Sequence, residues 1–566
     1  VNDVITSALP TAETTWVRCT SCGHLLYSKR LTRNLQVCPE CGHHNRLTAR
    51  QRIEQLADPG SFTPLPVTVV ASDVLGFSDT QPYPERLADA RASTGLDEAV
   101  LCGTARIGDR PVAMAVMDFG FMGGSLGTAV GELITRTAET ALRERLPLVI
   151  VTTSGGARMQ EGVLSLMQMA KTSQAIAELR EAGLLSVSVI TDPTYGGVAA
   201  SFAGNTDVLI AESGARMGFA GPRVIRQTIK QELPEGFQTA RFLMRHGQLD
   251  IVADRRTLRG RLLRLLDVAG PGGADAPAAD PVVIDDPQLI AARDPWEIVK
   301  LARQPDRPTT LDYISDIFTS FTELHGDRMQ GDCPAIVAGL ARLGDLRLAV
   351  IGHQKGHNTK DLVARNFGMA QPEGYRKALR VMRLAARLEL PILTLVDTPG
   401  AYPGVAAEEH GQSIAIAQNI QEMSGLRTPI VTIVTGEGGS GGALALSVAD
   451  RVLMLENATY SVISPEGCSS ILWNTPSAGP TAARALRISA RELLSMGVVD
   501  GVVPEPPGGA HLDRTTTAER LRRALLETLS ALPAAKTDRL VEERRARFRR
   551  YGQDAVRVND AATTRG

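Results

Sequence analysis

A chain of 566 residues with 43% hydrophobic and 22% charged residues is globular in composition and too long for one hydrophobic core, so at least two domains are expected. Its formal net charge of −1 excludes a global field drawing the whole molecule to nucleic acid or membrane, and no apolar run reaches the roughly 18–20 residues that span a bilayer. The start of the chain lacks the basic-then-apolar pattern of a secretory signal; together with cysteines grouped for metal binding rather than bridging, this gives a cytoplasmic expectation.

The first predicted element is a small Cys-rich unit over residues 16–43. Cys19-x2-Cys22 and Cys38-x2-Cys41 have the spacing of a four-thiolate zinc ribbon, and each pair is followed by a glycine, Gly23 or Gly42. Such a zinc keeps no position for water and is structural; His24, His43 and His44 are read as bystanders. Between Trp16 and Arg52 stand Arg18, Lys29, Arg30, Arg33, Arg46, Arg50 and Arg52 against one acid, Glu40. This basic patch could meet the phosphates of a coenzyme or of a nucleic acid, or be a solvated face.

Over residues 44–264, apolar runs such as LVIVT, VSVIT and VLIAE end in glycine-containing turns and alternate with helical patterns, for example residues 164–183. Runs of this kind suit strands buried on both faces. A Gly-, Ala- and Pro-rich linker follows over 265–287, and a second alternating region, 288–556, closes with the charged helical pattern VEERRARFRRYG. The two large regions read as diverged copies of one unit. GTARIGD at Gly103 is echoed by GLARLGD at Gly339, LPLVIVTTSGG ending at Gly156 by LPILTLVDTPG ending at Gly400, and SVSVITDPTYGG ending at Gly197 by TPIVTIVTGEGG ending at Gly439. Each copy is therefore expected to be an α/β domain with a mainly parallel sheet, its ligands at the carboxyl ends of the strands.

Those strand ends carry the catalytic assignment. A Gly-Gly turn opening a helix exposes adjacent backbone N–H groups, and two such donors make an oxyanion hole. Gly196 and Gly197 are assigned to one hole and Gly438 and Gly439 to the other, with the neighbouring pairs Gly155–Gly156 and Gly441–Gly442 assigned to reagent binding. No phosphate loop and no His-Glu-x-x-His occurs, and neither a Gly-x-Ser-x-Gly elbow nor an acid–base pair of carboxylates is expected. The chemistry is thus read as resting on backbone donors and on a reagent brought from elsewhere.

The stretches WVRCTSCGHLLYSKRLTRNLQVCPECGHHNRLTARQRI, SGGARMQEG, TDPTYGGVAASFA and GFAGPRVIRQTI resemble the β subunit of the bacterial acetyl-CoA carboxylase carboxyltransferase. PWEIVKLARQPDRPTTLDYI, GHQKGHNTKDLVARNFGMAQPEGYRKALR, DTPGAYPGVAAEEHGQS and GEGGSGGALAL resemble its α subunit. The resemblance implies two crotonase-like (ClpP/crotonase) domains in tandem behind a zinc ribbon. It also implies transfer of a carboxyl group from carboxybiotin to acetyl-CoA, giving malonyl-CoA for fatty acid synthesis. By the same resemblance Gly196 and Gly197 serve the thioester, and Gly438 and Gly439 the biotin. No Met-Lys-Met biotinylation motif occurs, so biotin is expected to arrive on a carrier protein loaded by a biotin carboxylase. Propionyl-CoA or a longer acyl-CoA is the alternative substrate, and a ribbon that grips nucleic acid a second role. A homodimer is expected, with the β-like half of one chain facing the α-like half of another. Residues 474–488 depart from the family pattern, which is more charged there.

Overall fold

The computed structural model describes residues 16–270, 280–532 and 538–553. Residues 271–279 of the expected linker, and 554–556 at the expected end of the second region, lie outside them. The chain divides into two compact units, one formed by the chain up to Leu243 with Ile251–Asp267, the other by Met244–Asp250 with the chain from Val268 onward. Among the described residues no helix is long and apolar enough to cross a membrane.

In the first unit the ribbon is an antiparallel pair, β1 (Trp16–Arg18) and β2 (Leu25–Tyr27), with Trp16 opposite Tyr27. Its apolar core is Cys19, Leu26, Leu31 and Cys38 with Val17 packed against them, too small to hold a fold without a metal. The main sheet contains β3 (Thr63–Pro64), β4 (Val100–Ile107), β5 (Arg110–Met117), β6 (Leu148–Ser154), β7 (Ser186–Tyr195), β8 (Val208–Glu212), β9 (Met217–Gly218) and β10 (Ile251–Ala253). Its order is β10-β8-β7-β6-β5-β4-β3, with β9 beside β7. Strands β4 and β5 pair antiparallel, whereas β5 through β8 run parallel. Every residue of β6 and of β8 is buried, as expected of parallel strands covered on both faces. The crossovers are the helices Thr128–Glu144 and Val163–Glu181, the second spanning the expected helix at 164–183 within two residues at each end.

The second unit repeats this plan with β11 (Ser320–Glu323), β12 (Ile336–Leu343), β13 (Leu346–His353), β14 (Ile392–Thr398), β15 (Ile430–Gly439), β16 (Arg451–Leu455), β17 (Thr459–Ser461) and β18 (Gly501–Val503). The order β11-β12-β13-β14-β15-β16-β18, with β17 beside β15, matches the first sheet strand for strand. Crossover helices Pro372–Arg387 and Gln412–Met423 stand where the first unit has its two. The charged C-terminal pattern forms the helix Asp538–Arg550, seated by the buried Arg544, which donates to Asp450 at 2.9 and 2.7 Å and to the Thr428 carbonyl at 2.9 Å.

Strand pairing corrects the internal alignment. Ser154 of β6 pairs with Thr194 of β7, and Thr398 of β14 with Gly438 of β15. Thr194 and Tyr195 then answer to Gly438 and Gly439, so the register partners of Gly196 and Gly197 are Ser440 and Gly441. The visible Gly-Gly repeat misleads by two residues because the ladder, not the glycines, fixes where each strand stops.

Candidate functional site

The zinc site is the simplest part. The Sγ atoms of Cys19, Cys22, Cys38 and Cys41 all lie within 4.8 Å of one another, with Cys19–Cys41 and Cys22–Cys38 at 3.8 Å. Tetrahedral Zn–S bonds of about 2.3 Å put sulfurs about 3.8 Å apart, so the four thiols are gathered where one zinc ion would hold them. Gly23 and Gly42, at φ +74° and +72°, turn each knuckle back so that their N–H groups donate to the Cys19 and Cys38 carbonyls at 3.0 and 2.9 Å. His24, His43 and His44 supply no ligand atom to the cluster.

The ribbon is tied to the end of β8. Arg255 donates to the Leu35 and Asn45 carbonyls at 2.9 and 2.7 Å while its other nitrogens hold Glu212 at 2.8 Å, and Arg52 adds a bond of 2.5 Å to the same carboxylate. Burial pushes Glu212 up, but the Arg52 and Arg255 guanidinium groups outweigh it and hold the carboxyl well below its usual range.

At the carboxyl ends of β6 and β7 two glycine turns meet. Gly196 opens the short helix Gly196–Val198 at φ +57°, and a Cβ on it would stand 3.0 Å from the Gly156 Cα, so the two glycine turns are in backbone contact. Of the four predicted residues here, three spend their N–H groups within the protein. Gly155 donates to the Gly123 carbonyl at 2.8 Å, Gly156 to Ser154 Oγ at 3.0 Å and Gly196 to the Phe219 carbonyl at 3.0 Å. Gly197, in the first turn of its helix, has no acceptor among the described residues, and neither has its neighbour Ala157, which the sequence reading passed over. A Cβ on Gly197 would lie 3.6 Å from the Ala157 methyl.

The loop carrying Ala157 is locked from behind. Arg158, with a fully buried side chain, forms a fork on Glu98 at 2.8 and 2.7 Å and reaches Glu161 at 3.2 Å, while Glu161 accepts from the Thr128 N–H at 2.5 Å. Burial works against the guanidinium charge, but Glu98 more than compensates and keeps Arg158 firmly protonated.

The second unit repeats the geometry with different chemistry. Gly400 N–H donates to Thr398 Oγ1 at 3.1 Å as Gly156 does to Ser154, and Ser440 sits at φ +54° where the twin is Gly196. Gly438 and Gly439 are not the opening of a helix, as the sequence suggested, but the last two residues of β15; the helix is Ser440–Leu444. Both are crowded: a Cβ on Gly439 would stand 2.1 Å from the Pro399 backbone oxygen, and one on Gly438 2.7 Å from the Tyr460 ring and 3.1 Å from the Thr459 oxygen. Gly441 and Gly442 follow Ser440 in the first turn of that helix, with the Ala401 nitrogen 2.5 Å from where a Gly442 Cβ would be. The run Gly438-Gly439-Ser440-Gly441-Gly442 is also a Gly-x-Ser-x-Gly elbow, contrary to the sequence expectation, with its serine in the left-handed turn such elbows require. Ser440 Oγ has the Gly442 N–H at 3.5 Å, and among the described residues no histidine bonds to it.

A charged chain of side chains, also missed in the sequence, braces the end of β15. Lys355 Nζ bridges Asp397 at 2.7 Å and Glu437 at 2.9 Å, and Arg303 joins Glu437 at 2.7 Å to Glu466 at 2.5 Å. Burial pushes Lys355 down, yet the two carboxylates outweigh it and hold the ammonium above its usual range. The signal was absent from the sequence because the five residues come from five separate segments.

Residues 286–552 match a family model described as acetyl co-enzyme A carboxylase carboxyltransferase-like, and residues 16–41 one described as the acetyl-CoA carboxylase zinc finger domain. Among curated relatives, the acetyl-coenzyme A carboxylase carboxyl transferase subunits beta/alpha of Salinispora arenicola are 61% identical over 97% of this chain and 98% of the relative. The protein of the same description from Clostridium tetani is 43% identical over 95% of this chain and 93% of its own length. A solved transcarboxylase 12S structure superposes with a TM-score of 0.69 at 22% identity, covering 90% of this chain and 94% of that one. A single-chain, multi-domain long-chain acyl-CoA carboxylase does so at 0.66 and 21%, covering 88% and 48%. At such identities the structures speak for the fold alone.

Proposed function

We infer that this chain, which belongs to the family of fused beta/alpha carboxyl transferase subunits of acetyl-coenzyme A carboxylase, is a biotin-dependent carboxyltransferase that makes malonyl-CoA from acetyl-CoA. The observation that carries the reading is the pair of register-equivalent glycine turns, one at the end of β7 and one at the end of β15. The reaction develops negative charge in two places, on the thioester oxygen as the enolate forms and on the ureido oxygen as biotin gives up its carboxyl group. Two sets of backbone donors answer two oxyanions. We assign the Gly197 and Ala157 N–H groups to the thioester and the Gly441 and Ala401 N–H groups to the ureido oxygen. In the sequence assignment, Gly196 and Gly438–Gly439 then become the turns that shape each hole. One donor of this kind is worth about 10²–10³ in rate.

The four thiols hold a structural zinc, and biotin comes on a carrier protein as carboxybiotin, supplying the activated carboxyl group. What this chain adds is orientation, charge stabilisation and exclusion of water. The proposal also places the protein in the cytoplasm, supported by seven cysteines of which none is bridged.

Both holes must open on one cavity, and we propose that the first unit of one chain meets the second unit of another in a homodimer. Equivalent faces beside the two holes are apolar and exposed, with Val163, Leu166 and Met167 in the first unit and Val405 and Ile414 in the second. A second copy of the chain covers both at once. The ribbon supports a further role in binding nucleic acid, because Trp16 and Tyr27 form an exposed edge-to-face pair among the exposed Arg18, Lys29, Arg30 and Arg33. Binding to single-stranded RNA that weakens steeply with salt is expected, and salt-independent or absent binding removes that role.

The test of the main reading supplies acetyl-CoA, ATP, bicarbonate, biotin carboxylase and biotinylated carrier. Malonyl-CoA is expected only when this chain is present. The pairing is tested by co-expressing Gly197→Val and Gly441→Val chains with different tags. A mixed dimer paired between chains keeps one intact site, while one paired within chains keeps none.

A further inference from the structure

Gly197 and Gly441 are register partners, yet the walls beside them differ. A side chain's Cβ leans toward the N-terminus of its helix, the direction in which the first-turn N–H groups also point. The atoms that a Cβ at each glycine would touch therefore flank the approach to its N–H. At Gly197 these are Met169 Sδ at 3.3 Å, Met169 Cγ at 3.4 Å and the Ala157 methyl at 3.6 Å. At Gly441 the contact is Ile416 Cγ2 at 3.8 Å. Met169 lies on the helix Val163–Glu181 and Ile416 on its counterpart Gln412–Met423, so equivalent helices supply a tight wall in one half and a looser one in the other.

We propose that Met169 sets the length of the acyl group this enzyme accepts, by closing the space beside the thioester hole to anything longer than an acetyl group. The inference rests on the assignment of Gly197 to the thioester. A thioester oxygen on the Gly197 N–H brings the carbon next to the carbonyl against the Met169 thioether and the Ala157 methyl. An acetyl methyl ends there; a propionyl chain needs one more methylene in the space that Met169 Sδ and Cγ fill. Met169 is partly buried rather than packed in the core, and its unbranched chain stands against Gly197, so its truncation leaves room beside that N–H. One methylene in an apolar pocket discriminates by about 10–200-fold.

The experiment uses the full chain and the reverse reaction with free biotin, in which malonyl-CoA gives acetyl-CoA and carboxybiotin, and methylmalonyl-CoA gives propionyl-CoA and carboxybiotin. The readout is the ratio of kcat/KM for methylmalonyl-CoA to that for malonyl-CoA. Met169→Ala is expected to raise the ratio about tenfold or more. Met169→Val should raise it less, and Met169→Leu, close to methionine in volume, should leave it within about twofold. A ratio unmoved in a folded Met169→Ala or, if alanine prevents folding, in Met169→Val overturns the inference while the carboxyltransferase reading stands. A wild-type chain that transfers nothing from malonyl-CoA overturns that reading, and the inference with it.

Discussion

Alanine placed at Gly197 and at Gly439, which the sequence pairs as equivalents, is expected to give opposite outcomes. At Gly439 the new Cβ would stand 2.1 Å from the Pro399 oxygen and 2.3 Å from its carbonyl carbon. Both are backbone atoms of the turn that ends β14, so relief requires β14 and β15 to part where Thr398 pairs with Gly438. Overpacking of this kind costs about 1–3 kcal/mol. At Gly197 the first contact is the Met169 thioether at 3.3 Å, the far part of a flexible side chain. Alanine also regains about 1 kcal/mol of helix propensity over glycine, so Gly197→Ala should change stability by less than about 1 kcal/mol. Amide hydrogen exchange in peptides covering 392–398 and 430–439 reads the difference locally, and melting temperature reads it globally. Gly439→Ala should exchange faster in both peptides, Gly197→Ala like the parent. A Gly439→Ala protein with unchanged exchange and melting would refute the placement of the β15 end.

Cys22→Ser should drop bound zinc below about half an equivalent in chelator-free protein, measured by elemental analysis, and release the ribbon from Arg255. His353, wholly buried, has its pKa pushed down to about 3, chiefly by burial, so the native state stays neutral where the unfolded chain takes up a proton. Its contribution is intact above about pH 6.5 and is lost at about 1.4 kcal/mol per pH unit as pH falls toward 3; denaturant titrations of His353→Phe should lack that part of the slope. Lys355→Met leaves Asp397 and Glu437 as facing buried carboxylates and should cost about 3–5 kcal/mol, with Glu437→Gln added in the same chain recovering part of the loss.

The zinc ligands were legible because four sulfurs within a short segment can do little else, and the parallel sheets because runs such as LVIVT are buried throughout. The internal repeat was legible as well, but its register was not. Gly196–Gly197 and Gly438–Gly439 look alike in the sequence, whereas the β-ladder matches Gly196 to Ser440, a serine held at φ +54° that no local pattern announces. Ala157 went unseen for the opposite reason: its side chain is featureless, and only the bonding of its neighbours shows that its N–H has no acceptor among the described residues. Lys355, Asp397, Glu437 and Arg303 could be joined only by the fold, since no spacing relates them.

On the reading proposed above, this chain alone carries both halves of the carboxyl-transfer site, a point open to direct test. It is tested most directly by incubating the purified, zinc-loaded chain with free biotin and malonyl-CoA labelled with carbon-13 at its free carboxyl group. Acetyl-CoA and labelled carboxybiotin are expected in equal amounts, with transfer lost in both Gly197→Val and Gly441→Val. Acetyl-CoA appearing without labelled carboxybiotin, or full transfer in either variant, would contradict that reading.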